Sequence, residues 1–486
     1  MNYKLIGKII SEILFGEIIF MIPAMILCFA DGRYDAGTAF IVSMSVIVVI
    51  SGIMYLLSRN AKNSLGAKDG FVCVGLAWII LSLTGCLPFF ISGEIPSYID
   101  ALFETVSGFT TTGASILTDV EAMSRGMLYW RSFSHWLGGM GVLVFLLAIV
   151  PLSKKDSGYM LHLLRSESPG PDVGKIVPKM KHTAMILYLI YFAMTAADFI
   201  FLVLGRMPVF DAICTAFGTA GTGGFGIRSD SIAGYSPYIQ IVCTVFMLLF
   251  GVNFNCYYLI VSGQFKNLLK NEELRLYFGI FFGAVILITV NTVGYFRTMG
   301  EAIRHVSFQV SSIMTTTGFS TVDFDLWPSF SKSIIVCLMV IGASAGSTGG
   351  GFKCSRMLLL VKNLRRSIRR MLHPQKIQSI RMDGQSVDEK IVENANIYLI
   401  AYVFIIIVSY LLISLDGFSS TTNFTAVLSC LNNIGPGLDT VGPVGNFSGF
   451  GPISKIVLIF DMLAGRLEIF PILVLFSTSA WSKTGK

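Results

Sequence analysis

Residues 217–226 read FGTAGTGGFG, and the glycines at 221, 223 and 226 have the spacing G-x-G-x-x-G. This spacing is typical of loops whose backbone approaches the pyrophosphate of a dinucleotide. Such a loop follows a strand, opens a helix and has an acidic residue about 20 positions further on. Here the segment leads through a short polar loop into a long apolar stretch. The context disfavours a nucleotide site and leaves a membrane-bound nucleotide-dependent enzyme as a remote alternative.

The same stretch is one of four similar segments. Each follows a long apolar block, is too short to cross a membrane, and runs to a glycine. They read DALFETVSGFTTTGAS (100–115), DAICTAFGTAGTGGFG (211–226), EAIRHVSFQVSSIMTTTGFS (301–320) and TTNFTAVLSCLNNIGPG (421–437). We expect each to form a short helix, because Asp100, Asp211 and Thr421 suit an N-cap and Glu301 favours a helix N-terminus by its charge.

Aligning the ends of these segments pairs four glycine turns. The aligned residues are Thr112-Gly113, Thr222-Gly223, Thr317-Gly318 and Ile434-Gly435. The alignment predicts four repeats of helix, short re-entrant helix, glycine turn and helix, which share one orientation around an axis normal to the membrane. The predicted parts are an N-terminal helix pair (1–70), repeat 1 (71–152), a cytoplasmic loop with repeat 2 (153–263), repeat 3 (264–362), and a basic cytoplasmic loop with repeat 4 (363–486).

The composition places the chain in a membrane. Of 486 residues, 53% are hydrophobic and 13% are charged, about half the charged fraction of a soluble protein. Ten apolar blocks, among them residues 142–150, approach the length of about 20 residues that a spanning helix needs. We therefore predict an all-α polytopic membrane protein with ten transmembrane helices. The first block is too long for a typical signal peptide, and Glu12 and Glu17 interrupt it, which favours an uncleaved helix.

The basic residues predict the orientation. With the N-terminus in the cytoplasm, most of the 36 Lys and Arg fall in the segments near 58–70, 153–182, 264–275 and 353–395 and in both tails. This bias follows the positive-inside rule and places both termini in the cytoplasm. Topology therefore explains the formal charge of +7, and nucleic-acid binding is not needed to explain it.

Four breaks of regular structure within a membrane must be buried in protein or line water. Gathered round one axis, their unpaired carbonyls can replace the hydration shell of a cation, and the C-terminal ends of four short helices favour positive charge. Acids follow every turn, at Asp119, Asp230, Asp323, Asp325 and Asp439. Either these acids form a ring that raises the local cation concentration, or they are ordinary solvated residues of loops.

Two further features interrupt apolar stretches. Residues 342–351, GASAGSTGGG, hold five glycines and cannot form a stable lipid-facing helix; they form either an irregular loop or a tight helix-packing seam. Arg466 lies within a predicted transmembrane helix, where a charge costs about 3 kcal/mol and is a functional candidate. Its alternative role is a structural pair with Glu468 or Asp461.

Several motifs carry a resemblance to a known family. The four turns, WRSFSHWLGGMG (130–141), IGASAGSTGGGFK (341–353), NNIGPG (432–437) and DMLAGRLEIFP (461–471) resemble the Trk/Ktr/HKT superfamily of potassium transporters. The N-terminal helix pair resembles its TrkH branch. The resemblance implies K⁺ uptake across the plasma (inner) membrane of a prokaryote, without catalysis or an organic cofactor. It also implies a homodimer controlled by a cytoplasmic TrkA-type nucleotide-binding subunit.

The resemblance also implies roles for individual residues. Filter carbonyls would come from Thr111, Thr112, Gly221, Thr222, Thr316, Thr317, Asn433 and Ile434, and the turns would be set by Gly113, Gly223, Gly318 and Gly435. A gate below the filter would include Gly342, Gly346, Gly349, Gly350 and Gly351, with Arg466 as an electrostatic barrier. Channel and H⁺-coupled symport both stay open. A Na⁺-coupled Ktr-type subunit is the alternative, although the N-terminal helix pair argues against it.

Overall fold

The structure, a computed structural model, describes residues 1–61, 66–139, 141, 180–375 and 378–481. The predicted apolar block 142–150 and residues 153–179 of the first large cytoplasmic segment lie outside the described residues.

The described ranges are mostly helical. The helices are α1 (Tyr3–Ala30), α2 (Tyr34–Ser58), α3 (Ala67–Gly85), α4 (Leu87–Ile91), α5 (Tyr98–Phe109), α6 (Arg125–Gly139), α7 (Met180–Leu204), α8 (Val209–Gly221), α9 (Pro237–Phe250), α10 (Phe254–Val261), α11 (Phe265–Lys270), α12 (Glu272–Thr292), α13 (Met299–Met314), α14 (Ser329–Ile341), α15 (Cys354–Leu372), α16 (Glu389–Ile413), α17 (Ser420–Leu431), α18 (Pro452–Arg466), α19 (Phe470–Leu475) and α20 (Thr478–Trp481). Strands β1 (Arg381–Met382) and β2 (Gln385–Ser386) pair antiparallel between α15 and α16.

Within the described ranges, six helical segments are long and apolar enough to cross a membrane. They are α1, α2, the run from α3 through α4, α7, α12 and α16. Helices α9 and α10 make a seventh if counted together, although they meet at an angle of 88°. Apolar side chains such as Val49, Leu56 and Leu57 on α2 are exposed, as expected for a surface that faces lipid. The fold is thus a polytopic helical membrane protein, and the count of ten spans stays a prediction.

The four short helices of the repeats are α5, α8, α13 and α17. Three of them are capped by hydroxyl residues, Ser97, Thr298 and Ser419, each of which accepts from the backbone N–H three residues later. The helices therefore begin earlier than the sequence suggested, because these hydroxyls satisfy N–H groups at the helix start. The expected N-caps Asp100, Asp211 and Thr421 lie in the first turns of α5, α8 and α17.

The basic segment after α14 is structured where it is described. Helix α15 carries many of its Arg and Lys residues, and the β1–β2 hairpin turns at Asp383 and Gly384, both at positive φ. The Asp383 carboxylate accepts from Asn271 Nδ2 at 3.1 Å and from Glu272 N at 2.8 Å. Lys362 of α15 pairs with Glu272. Helix α15 and the hairpin are therefore fastened to the start of α12.

Candidate cation pathway

The short helices α5, α8, α13 and α17 end in the same backbone turn. We number these turns 1 to 4, for residues 110–113, 221–224, 315–318 and 432–435. The second residue of each turn is left-handed, with φ between 53° and 59°. Its N–H donates to the carbonyl three residues back, and the following N–H donates to the carbonyl five residues back at 2.8–3.0 Å. This is the hydrogen-bond pattern of a Schellman C-cap, repeated four times.

The residues in the left-handed conformation are not glycines. They are Thr111, Thr222, Thr316 and Asn433. A β-branched side chain rarely adopts this conformation, and each instance costs about 1–3 kcal/mol. Such strain persists where the surrounding structure imposes it, most often at functional sites. Three threonines at equivalent positions therefore mark the turns as functional.

The fourth residue of each turn is a glycine at positive φ. These glycines are Gly113, Gly224, Gly318 and Gly435. The sequence alignment chose Gly223 in turn 2, and that register is wrong by one residue. The letters TGG permit either glycine, but the hydrogen bonds place Gly223 level with Thr112. Thr222 and Gly223, and not Gly221 and Thr222, are therefore the equivalents of Thr111 and Thr112.

The four turns approach one another as a closed ring in chain order. A methyl group added to Gly113 would lie 2.1 Å from the carbonyl oxygen of Gly223 in the next turn. The equivalent distances are 1.9 Å from Gly224 to Thr317, 2.2 Å from Gly318 to Ile434 and 3.0 Å from Gly435 to Thr112. Glycine is therefore required both by its positive φ and by the close approach of the neighbouring turn.

The carbonyls of the second and third residues of each turn lack donors. They belong to Thr111, Thr112, Thr222, Gly223, Thr316, Thr317, Asn433 and Ile434, all of which are buried. In the described part of the chain, none of these eight oxygens accepts a hydrogen bond. Buried carbonyls are nearly always paired, and the preceding helices add the partial negative charge of their C-termini. The ring can therefore coordinate a desolvated cation.

Residues 342–353, here called the glycine loop, pack against turns 3 and 4. The Gly350 N–H donates to Thr316 Oγ1 at 2.6 Å. A methyl group added to Gly349 would lie 2.7 Å from the Thr315 carbonyl oxygen, and one added to Gly350 would lie 2.3 Å from that of Asn432. Positive φ occurs at Gly342, Gly346 and Gly351. The segment is thus an irregular loop in direct contact with the backbone of two turns.

Arg466, the last residue of α18, contacts the same loop. Its guanidinium donates to the Thr348 carbonyl at 2.8 Å and to two carbonyls at the end of α6. Glu468, considered as its partner, pairs with Arg356. Asp461, the other acid considered, accepts from a serine of α16 at 2.7 Å. The structure therefore brings the Arg466 charge to the glycine loop.

Two charged residues at the glycine loop were missed by the sequence reasoning. Glu273 is buried at the start of α12 and accepts from the N–H groups of Ala345 at 2.6 Å and Ser355 at 3.1 Å. Lys353 is buried at φ 81° and donates to the Gly349 carbonyl. The position of Lys353 two residues after the glycine run was an available signal. No signal in the sequence pointed to Glu273, because acidic residues are common at helix N-termini.

A cavity lies at the C-terminal ends of the turns, lined by the four turn glycines and the segments that follow them. Its described lining includes Arg131 and Arg228 and no carboxylate. Asp325 accepts from the Asp439 N–H at 2.9 Å, and hydroxyl donors, Ser419 first, lower the pKa of the Asp439 carboxyl. These two acids brace the loops, in line with the ordinary alternative to a cation-concentrating ring.

Comparisons with known proteins show the family of the chain. The family model TrkH, described as a cation transport protein, matches residues 36–483. The chain belongs to the TrkH family. This membership confirms the resemblance and the expectation of a transporter in place of an enzyme.

Relatives of the family cover nearly the whole chain. The Trk system potassium uptake protein TrkH of Salmonella typhimurium is 35% identical, over 99% of this chain and 100% of that protein. The Trk system potassium uptake protein TrkG of Escherichia coli K12 is 32% identical, over 95% of each. The crystal structure of the potassium transporter TrkH from Vibrio parahaemolyticus matches with a TM-score of 0.86 and 30% identity, over 99% of this chain and 100% of that one.

Proposed function

We propose that this chain takes up K⁺ across the membrane through the ring of four turns. One observation carries the proposal: eight buried backbone carbonyls without hydrogen-bond donors in the described chain belong to four turns that meet in a ring. Carbonyl oxygens in such a ring replace the water shell of a cation. The relatives named as potassium uptake proteins support K⁺ as the ion.

In this proposal the four repeats are pore-loop units around one pathway. The filter carbonyls are those of the second and third residues of each turn, with turn 2 in the register that the structure gives. The turn glycines allow the backbones to meet, and one glycine per repeat suits a filter that is less selective than the longer TVGYG filter of tetrameric channels. The ten spans and the predicted division at residues 70, 152, 263 and 362 belong to the same proposal.

The glycine loop serves as the gate. The position of the loop supports this role, because Gly349 and Gly350 contact the backbones of turns 3 and 4 and cover these turns on that side. Arg466 adds a positive charge beside the loop, which opposes passage of a cation. In this conformation the pathway is closed, and transport requires the loop to move away from the turns.

A cytoplasmic partner controls the gate in this proposal. Helix α15 continues directly from the glycine loop and carries the basic stretch 362–370, so a partner that moves α15 pulls on the loop. The relatives are named as parts of a Trk system, which supports a TrkA-type nucleotide-binding subunit. A homodimer in the inner membrane, with both termini in the cytoplasm, completes the proposal.

The test is ion flux in vesicles that contain the purified full-length chain, with and without a TrkA-type subunit. We expect Rb⁺, a K⁺ substitute, to enter faster than Na⁺ and the subunit to change the rate. A strict requirement for Na⁺ would favour the Ktr-type alternative. Absence of Rb⁺ flux under both conditions, with the chain correctly folded, would remove the proposed function.

A further inference from the structure

Turn 2 differs from the other turns in its side chains. In turn 1 the hydroxyls of Thr110 and Thr112 lie 2.8 Å apart, and in turn 3 those of Thr315 and Thr317 are separated by the same distance. Each hydroxyl pair braces the first residue of its turn against the third. Turn 2 has glycines at both equivalent positions, 221 and 223, so it has no brace of its own.

Helix α6 fills the space of the two missing side chains. A methyl group added to Gly223 would lie 2.3 Å from both Cγ and Nδ1 of the His135 imidazole. One added to Gly221 would lie 2.2 Å from the His135 carbonyl oxygen and 3.1 Å from its Cβ. A single residue of α6 thus packs against both ends of the unbraced turn.

The same residue holds the segment after the turn. The His135 ring stacks on Phe225 with centroids 4.2 Å apart, and Phe225 directly follows the turn glycine Gly224. The Arg131 guanidinium lies 3.5 Å from the Phe225 ring centre and is itself paired with buried Glu104 at 2.6 Å. Helix α6 therefore contacts turn 2 on both sides of its turn glycine.

Shape holds the His135 ring in place. His135 is fully buried, and neither imidazole nitrogen has a hydrogen-bond partner among the described residues. The groups near the imidazole include the backbone of turn 2, the Phe225 ring and the backbone of Ser107 on α5. A histidine needed only to fill the core would not have to coincide with the one turn of the four that has glycine at both its first and its third position.

We propose that His135 is a positioning residue that sets the width of turn 2 and thereby the discrimination between K⁺ and Na⁺. This inference rests on the proposed function, since it assigns a role within the proposed filter. The His135 imidazole packs against the backbone of Gly223 and restricts its movement, as the hydroxyl pairs restrict the movement of turns 1 and 3. Without the imidazole, the Gly223 carbonyl gains room to move. A looser ring of carbonyl oxygens then accepts the smaller Na⁺ more easily.

The test compares Rb⁺ and Na⁺ fluxes of full-length variants in vesicles. We expect His135→Ala to lower the Rb⁺-to-Na⁺ ratio about fivefold or more, as expected when one tightly packed group is removed. Gly223→Ser, which places a side chain against the imidazole, is expected to lower Rb⁺ flux by a similar factor. In the double variant His135→Ala with Gly223→Thr, the threonine side chain partly fills the space that the imidazole occupied, and the ratio recovers relative to His135→Ala.

Leu137→Ala is the matched control. Leu137 is buried on the same helix and is not among the atoms nearest to Gly221 or Gly223. It is expected to lower the yield of folded protein and leave the flux ratio unchanged. If the wild-type chain transports Rb⁺ and His135→Ala leaves the Rb⁺-to-Na⁺ flux ratio unchanged, the inference is overturned and the proposed function still stands. If His135→Ala does not fold, an undiminished Rb⁺ flux in Gly223→Ser overturns it equally.

Discussion

At the scale of single residues, strain and missing hydrogen bonds occur at the same atoms. Thr111, Thr222, Thr316 and Asn433 hold a left-handed backbone that their side chains disfavour. The same conformation leaves the carbonyls of the turn without donors in the described chain. Both costs are offset if a cation binds where the carbonyls converge. The unfavourable conformation is therefore part of the proposed binding site.

Gly224 and Gly226 offer a direct comparison, because only Gly224 is a turn glycine in the corrected register. We expect Gly224→Ala to lower Rb⁺ flux about tenfold or more, because Gly224 has φ 72° and an added methyl group would lie 1.9 Å from the Thr317 carbonyl oxygen. Gly226→Ala is the control, since Gly226 is not at positive φ and its nearest neighbour would be 3.1 Å away. Similar losses in both variants would speak against a special role for Gly224 as the turn glycine.

The register also shows the limit of the sequence at this scale. The four turns and their glycines could be located, because a short apolar helix followed by Thr and Gly recurs four times. The choice between Gly223 and Gly224 could not be made, since it depends on which residue takes positive φ. His135 was equally beyond reach, because its role depends on the distance between α6 and turn 2, which are far apart in sequence.

At the scale of elements, the start of α12 connects the glycine loop to the basic helix. Glu273 holds the loop through the Ala345 N–H and the start of α15 through the Ser355 N–H. Its neighbour Glu272 pairs with Lys362 of α15. The adjacent carboxylates of Glu272 and Glu273 thus connect the glycine loop, which is the proposed gate, to α15, which is the proposed contact region of the partner. A movement of α15 can be passed to the loop through this short connection.

Removing the Glu273 carboxylate is expected to favour the open gate. We predict that Glu273→Ala raises Rb⁺ flux without the partner several-fold, because the buried N–H groups of Ala345 in the loop and Ser355 in α15 lose their acceptor. The control is Glu389→Ala, which removes the more exposed carboxylate that pairs with Arg366 of α15. Single-channel or vesicle recordings of both variants provide the comparison. Unchanged flux without the partner in a folded Glu273→Ala protein would show that Glu273 does not hold the gate closed.

At the scale of the whole molecule, breaks in the described helices explain why α9, α14 and α18 are too short to cross the membrane as single straight helices. Helix α9 ends where the chain bends by 88°, α14 stops at the glycine loop, and α18 ends at Arg466. Each interruption lies in or against the glycine loop. Composition could identify the membrane class and the repeats, since both depend on local sequence. It could not show which apolar stretches are continuous, because tertiary contacts satisfy the backbone at each break.

The ring of carbonyls is tested most directly by locating a bound ion. Crystals of the full-length protein grown with Rb⁺ can be measured for anomalous scattering, which distinguishes Rb⁺ from water. We expect a peak on the axis between the four turns, within coordination distance of the carbonyls of Thr112, Gly223, Thr317 and Ile434. Ordered turns without a peak there, in a protein that transports Rb⁺ in vesicles, would contradict the assignment of this ring as the cation site.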